Sequence, residues 1–389
     1  MKPKILHIVS SLGMGGAETW LVELVKFIKA NNVPIQFEFL VSNGQKDFFD
    51  QELIELGCKI HYIKLDKKNI LKFILEFRKL LKKETFKAIH SHQDFLSGWY
   101  FLFGVFIPID KKITHIHNPS YQIKNNYGIN LRRKLNISLG KVLIYFLATD
   151  ITSTSKKMIS EYGFDTYFFS KLNPRPVHCS FDFKKFESRL PNHENLLRQQ
   201  FNLAITDKII LFAGRLDYSL MLDDSNNHKN SAFALYVTQK LVEKNVNYKV
   251  IFIGKNNHII DEFKQLIKEL GIEKNVIIAG VRKDIQSFMH ISDILLFPSR
   301  EEGLGMVAVE AQVAKLNVLA SYGVPQECVF INEIVHFEKI ENGYTRWAEK
   351  IDEIVKNKIE LSYKYYNEKC QTSNFNIKNN INELIELYT

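Results

Sequence analysis

Residues 293–321 read DILLFPSREEGLGMVAVEAQVAKLNVLAS. The apolar run from Asp293 to Pro298 reads as a buried strand that ends at the proline. Glu301 and Glu302 follow, then Gly303, Leu304 and Gly305. From Met306 the apolar spacing turns helical, and residues 317–321 read as a second strand. A strand, a glycine turn and a helix start make an anion site, because free N–H groups of the first turn and the helix dipole both favour negative charge. Glycine lets a phosphate or a sugar approach the backbone. Glu310 lies eight positions after Glu302, about 11–12 Å along a helix at 1.5 Å per residue. Two carboxylates beside an anion site suit hydroxyl donors, not phosphate. The ligand implied carries both, as a nucleotide-sugar does.

Outward from this stretch the chain alternates strand and helix. Short apolar strands are expected at 5–10, 36–41, 59–65, 88–91 and 112–117, with helices such as 17–29 and 70–83 between them. A second series is expected at 209–213, 249–253, 276–279, 294–297 and 318–321. Residues 173–192 contain Pro174, Pro176 and Pro191 and read as the crossing between the two series. Such alternation predicts parallel sheets that bind ligands outside the carboxyl ends of their strands. The expected fold class is α/β, with two doubly wound Rossmann-like domains facing each other across a cleft. The expected domains are 1–175 and 176–371, followed by a helical tail, 372–389.

Other motifs fall at expected strand ends. Gly13-Met14-Gly15-Gly16-Ala17-Glu18 follows the first strand. A dinucleotide fingerprint needs glycine at 13, 15 and 18, so Glu18 removes the main support for a dehydrogenase. Glu18 also suits the dipole of a first helical turn. His90-Ser91-His92 and His115-Ile116-His117-Asn118 end two later strands. Alternate residues of a strand share a face. A zinc site would need a third ligand, and none accompanies either pair at useful spacing. In the second half, Arg215 follows Gly214, and Lys229 precedes Asn230. A guanidinium fork and an ammonium point charge at a strand end suit a diphosphate. Residues 217–228 separate the two cations, and Lys255 is the alternative to Lys229.

Glu302, Gly303, Gly305 and Glu310, with seven residues between the carboxylates, resemble the donor-binding segment of retaining glycosyltransferases of family four, which have the GT-B fold. The loop of Gly15, Gly16 and Glu18, with Thr19-Trp20-Leu21 after it, is similar to that of family members that build bacterial capsule and exopolysaccharide. The resemblance covers nearly the whole chain. It implies that Arg215 and Lys229 hold the donor diphosphate and that Glu302 orients the sugar. Glu310 would bind the ribose, and Val281, after Gly280, would meet the base through its backbone. Gly15, Gly16, Gly303, Leu304 and Gly305 would line the donor. His117 would lie by the transferred sugar, with Glu18, His92 and Asn118 on the acceptor side. The helical tail would cross back to the first domain. The family's Ala-x-Gly-x-Pro after the second Glu is Ala314-Lys315-Leu316-Asn317 here, and the loop 217–228 is longer than usual. The implied activity is retaining transfer of a hexose-type sugar, UDP-linked by preference, to a glycan or lipid-linked acceptor. No cofactor and no metal are expected, since no Asp-x-Asp pair is placed for one; Asp223-Asp224 falls in the long loop. The rival readings are an epimerase or hydrolase of nucleotide-sugars on the same fold, and a non-catalytic partner subunit.

The 389 residues carry a net charge of +9. Residues 1–190 hold 29 Lys/Arg against 17 Asp/Glu, and the rest hold 23 against 26. A basic first half implies an anionic partner. No nucleic-acid-binding motif is present, so an anionic membrane surface is the expected partner. A basic amphipathic helix within 121–150, with Arg132, Arg133, Lys134 and Lys141, suits such a surface and equally suits a core helix with a solvated basic end. The longest apolar stretch, 95–109, is shorter than the roughly 20 residues that span a bilayer. The four scattered cysteines read as reduced thiols. The opening residues read as strand, not as a signal peptide. The expected location is cytoplasmic, peripheral on the inner face of the membrane.

Overall fold

The computed structural model describes residues 2–66, 68–119, 131–224, 227–255 and 258–389. The chain divides into two compact units, Met1–Asp182 together with Asn374–Thr389, and Phe183–Ser373. The change of unit after Asp182 falls inside the proline-bearing stretch 173–192.

The first unit is built on a seven-stranded sheet in the order β3-β2-β1-β4-β5-β6-β7. Its strands are β1 (Lys4–Val9), β2 (Gln36–Val41), β3 (Lys59–Tyr62), β4 (Ala88–Ser91), β5 (Lys111–Ile116), β6 (Asp150–Ser153) and β7 (Arg175–Pro176). Every pairing is parallel. A parallel sheet is covered on both faces, so its strands carry little polar surface toward solvent. Here the two faces differ. Leu6, Ile8 and Ile89 pack on Phe73, Phe77 and Leu81 of the Ile70–Glu84 helix. The opposite face carries His7, His90 and His115, all fully buried. Trp20, from the Gly16–Ala30 helix, and Tyr388, from the Ile377–Tyr388 helix, cover those imidazoles. The last helix is tied down through Asn380, whose Oδ1 accepts from Trp20 Nε1 at 2.9 Å and from Ser180 Oγ at 2.8 Å. Strands β6 and β7 were not expected. Asp-Ile-Thr-Ser offers no apolar run, and a two-residue edge strand with a proline gives no periodic signal.

The second unit has a six-stranded parallel sheet in the order β10-β9-β8-β11-β12-β13. These are β8 (Lys208–Ala213), β9 (Tyr248–Ile253), β10 (Val276–Gly280), β11 (Ile294–Phe297), β12 (Asn317–Ser321) and β13 (Val335–Glu338). Its core joins Phe212, Phe252, Phe263, Leu296 and Trp347. Strand β13, half polar, was likewise not expected. In each unit the chain runs outward from a central strand to both sides: β1 has β2 and β4 as neighbours, and β8 has β9 and β11. Such switch points leave a crevice at the strand carboxyl ends.

Candidate functional site

In the second unit the switch point lies between β8 and β11, and the two strand ends deliver Arg215 and Glu302. The ends of β8 and β9 approach closely because Gly254, at φ +149°, has no side chain; a Cβ there would stand 2.1 Å from the Gly214 carbonyl oxygen. Arg215 is exposed, with its guanidinium 5.3 Å from the centre of the Tyr218 ring. The long loop that follows is closed at its base by Asp217. This buried carboxylate accepts from the Lys229 N–H at 2.7 Å, the Ser231 N–H at 2.8 Å and the Ser231 hydroxyl at 3.1 Å. Lys229 is therefore delivered to the strand ends despite the extra length. Its Nζ lies 2.5 Å from Glu302 Oε1 and 5.6 Å from the centre of the Phe297 ring, at the end of β11. His228, next to it, is held neutral: burial, then the charge of Arg215, lowers its pKa. Lys255, the alternative cation, has an exposed side chain, and its carbonyl accepts from Leu216 N–H at 3.1 Å.

Glu302 is set by backbone. Its N–H donates to the Gly323 carbonyl at 3.1 Å. Gly305 caps the Met306–Val313 helix at φ +89°, a conformation that favours glycine, and a Cβ there would stand 2.8 Å from Val324 Cγ1. Leu304 turns into the core, so a ligand at Gly303–Gly305 would meet main chain. Glu310, half-buried on that helix, has its carboxyl pushed up to about 7 by burial, with the Lys185 charge pulling the other way. Val281 is 52% exposed just after Gly280, which turns at φ +69°.

In the first unit the switch point gathers histidines. His92 Nδ1 lies 2.8 Å from His117 Nε2, and His92 Nε2 lies 3.0 Å from His7 Nδ1. His90 Nε2 lies 3.0 Å from His115 Nδ1, and His90 Nδ1 lies 2.8 Å from the Tyr388 hydroxyl. Burial depresses all five imidazoles, His7 and His117 to about 3, so they are neutral. His117 and Asn118 are anchored by Asp94. Its carboxylate accepts from the His117 N–H at 3.0 Å and from Asn118 Nδ2 at 2.9 Å, and burial still raises it to about 6.

The acceptor-side expectation does not suit His92. It is buried, and both its ring nitrogens are engaged by other imidazoles, which leaves none for a ligand. Gly15 caps the first helix. The Glu18 carboxylate folds back over it, so that a Cβ at Gly15 would stand 2.0 Å from Glu18 Oε2. Burial raises the Glu18 carboxyl. Of the basic stretch 121–150, residues 121–130 lie outside the described residues, Leu131–Leu147 forms a helix, and Asp150 begins β6.

Sequence reasoning missed His7, Asp94, Tyr388 and Asp217. A histidine inside the otherwise apolar run of β1 was the available signal for His7. It also found no third metal ligand, whereas strand pairing supplies one. His7, His90 and His92 form one group whose nitrogens lie within 4.8 Å, and His92, His115 and His117 form another.

The family description "Glycosyl transferases group 1" matches residues 194–372. The capsular polysaccharide biosynthesis glycosyltransferase CapH of Staphylococcus aureus is 26% identical over 99% of this chain and 98% of its own length. The putative glycosyltransferase EpsF of Bacillus subtilis is 24% identical over 90% of this chain and 86% of its own. Among solved structures, Anabaena Alr3699/HepE in complex with UDP superimposes with a TM-score of 0.73 at 16% identity, covering 99% of both chains.

Proposed function

We propose, from the premise that the chain is a glycosyltransferase of group 1 with the GT-B fold, that it transfers a hexose-type sugar with retention. The donor is a UDP-sugar and the acceptor a glycan or a lipid-linked sugar of a bacterial surface polysaccharide. One observation carries the reading: Lys229 and Glu302 meet at 2.5 Å on strand ends that also deliver Arg215. Two cations and a carboxylate in a switch-point crevice match a diphosphate joined to a hydroxyl-rich group. Arg215 and Lys229 take the charge that develops as the sugar–phosphate bond breaks, the largest contribution expected in such a site. Glu302 and Glu310 accept from sugar and ribose hydroxyls, and the Val281 backbone meets the base. His117, in the first unit, meets the transferred sugar. The UDP in the HepE structure and the capsular role in the name of CapH support donor and pathway.

The acceptor side includes an anionic membrane surface at the inner face of the cell membrane. No helix among the described residues is long and apolar enough to cross a membrane. The Leu131–Leu147 helix instead leaves Leu131, Leu135, Leu139, Val142 and Phe146 between 48% and 74% exposed. At 100° per residue these five fall on one stripe, with Arg132 along one border and Lys134 along the other. An apolar stripe edged by cations suits the interfacial region of an anionic bilayer.

A thermal-shift screen of nucleotide-sugars tests the donor, since a ligand raises apparent stability by mass action. UDP-sugars are expected to raise the melting temperature. A response to no nucleoside diphosphate sugar overturns the reading, and rapid turnover of donor without acceptor favours the epimerase or hydrolase.

A further inference from the structure

Four buried imidazoles and the half-buried His117 form two separate hydrogen-bonded files. One runs His7–His92–His117, the other Tyr388–His90–His115. Within the files, His7 and His92 have centroids 5.3 Å apart and planes 15° apart, His90 and His115 have centroids 5.1 Å apart and planes 15° apart, and His92 and His117 have centroids 5.0 Å apart and planes 43° apart. Between the files the rings stack face to face, His90 on His92 at 4.5 Å and His115 on His117 at 4.2 Å.

A neutral imidazole has one donor and one acceptor nitrogen, and the partner of one nitrogen sets the role of the other. In a file of three, fixing the proton at one end fixes them all. His7 supplies that end. Its Nε2 is buried and has no partner, in a ring flanked by Phe37 at 4.2 Å and Phe39 at 5.7 Å. A buried N–H without an acceptor is rarer than an unused lone pair. His7 therefore carries its proton on Nδ1 and donates to His92 Nε2. His92 carries its proton on Nδ1 and donates to His117 Nε2.

We propose that His7 and His92 are positioning residues that hold His117 as the Nδ1–H tautomer, so that it offers a ligand oxygen a hydrogen-bond donor and no lone pair. The ligand contact rests on the function proposed above; the tautomer does not. A neutral Nδ1–H donor suits a sugar hydroxyl oxygen, and it excludes His117 as a base toward the incoming hydroxyl in this state. The second file has its own direction. His115 Nε2 is also buried without a partner, so by the same rule His115 donates to His90, and His90 donates to the Tyr388 hydroxyl.

The test is long-range proton–nitrogen correlation NMR on the full chain with nitrogen-15 histidine, near neutral pH, with His117→Ala to assign the signals. In the parent protein, His117 is expected to show a protonated Nδ1 and a bare Nε2. In His92→Phe, and in His7→Phe if the first variant fails to fold, the two His117 nitrogens move toward a tautomer average. His92→Gln, whose amide N–H can still donate, restores the parent pattern. Tyr388→Phe disturbs His90 and His115 and leaves His117 unchanged. A protonated Nε2 on His117 in the parent protein overturns the proposal, as does an unchanged His117 in folded His92→Phe, or metal-bound nitrogen shifts. Turnover provides the second readout: His92→Phe should lose roughly tenfold in kcat, the size of one hydrogen bond, with KM kept. If His117→Ala keeps full turnover, the ligand role fails and the tautomer result stands by itself.

Discussion

Lys229 Nζ lies 2.5 Å from Glu302 Oε1, and both side chains are only partly exposed. The cation assigned to the diphosphate and the carboxylate assigned to the sugar therefore neutralise each other without a ligand. A bound diphosphate must share Lys229 with Glu302. Glu302→Gln removes that competition and keeps the shape. It is expected to tighten binding of UDP severalfold and to lower sugar transfer on the order of 10²-fold, the scale of a lost electrostatic contact in a transition state. Calorimetry with UDP and a transfer assay read the two effects; weaker UDP binding in the variant would count against the shared site.

Glu310 gives a pH signature. Burial raises its carboxyl to about 7, so the free protein holds it partly protonated at neutral pH. The carboxylate offers both oxygens to the two ribose hydroxyls, whereas the acid spends one as a donor. UDP affinity should rise as pH climbs through about 7 and level off above it. Glu310→Gln should weaken UDP binding and flatten that rise. A pH-independent affinity in the parent protein removes the ribose assignment.

The histidine face makes the first unit acid-sensitive. The folded imidazoles have lowered pKa values, about 3 for His7 and His117, and the unfolded chain titrates near 6.5. The unfolded state therefore binds more protons between those limits. Stability is whole above pH 6.5 and falls as pH drops toward 3, by up to about 1.4 kcal/mol per pH unit for each imidazole. His7→Phe is expected to reduce proton uptake on unfolding near pH 5 by about one. Denaturant titrations at several pH values measure it, and an unchanged pH slope contradicts the burial of a neutral His7.

The exposed stripe of the Leu131–Leu147 helix should hold the protein on anionic vesicles. Sedimentation should rise with anionic lipid and fall with salt, since each basic residue near the surface contributes about 1 kcal/mol. Replacing Arg132 and Lys134 by Gln should remove the preference for anionic lipid. Replacing Leu135, Leu139 and Phe146 by Ser should abolish binding altogether. Equal binding to neutral and anionic vesicles sinks the membrane assignment.

What the sequence disclosed follows from range. The segment 293–321 was legible because strand, glycine turn and helix are contiguous, and local spacing reports all three. Gly305 and Glu310 are fixed within one turn and one helix. The partner of Glu302 lies 73 residues away, and only the β8–β11 pairing brings Lys229 to it. The histidine pairs were visible, but their organisation was not. His7, His90 and His115 sit on three neighbouring strands, and sheet order is no local property. The resemblance placed His92 on the acceptor side; here His7 and His117 occupy both its nitrogens, which no local pattern reports. Strands β6, β7 and β13 escaped because short, half-polar strands take their stability from neighbours and not from their own composition.

The proposed transfer stands on the second unit binding a nucleoside diphosphate through Arg215 and Lys229. Calorimetric titration of UDP into the parent protein, Arg215→Ala and Lys229→Met measures it most directly, with uridine as the ligand lacking phosphate. Saturable UDP binding to the parent protein and much weaker binding of uridine are expected. Each variant should lose at least about tenfold in UDP affinity, the worth of one charge-assisted contact, with its melting temperature little changed. Equal UDP affinity in all three proteins, or no preference for UDP over uridine, would contradict it.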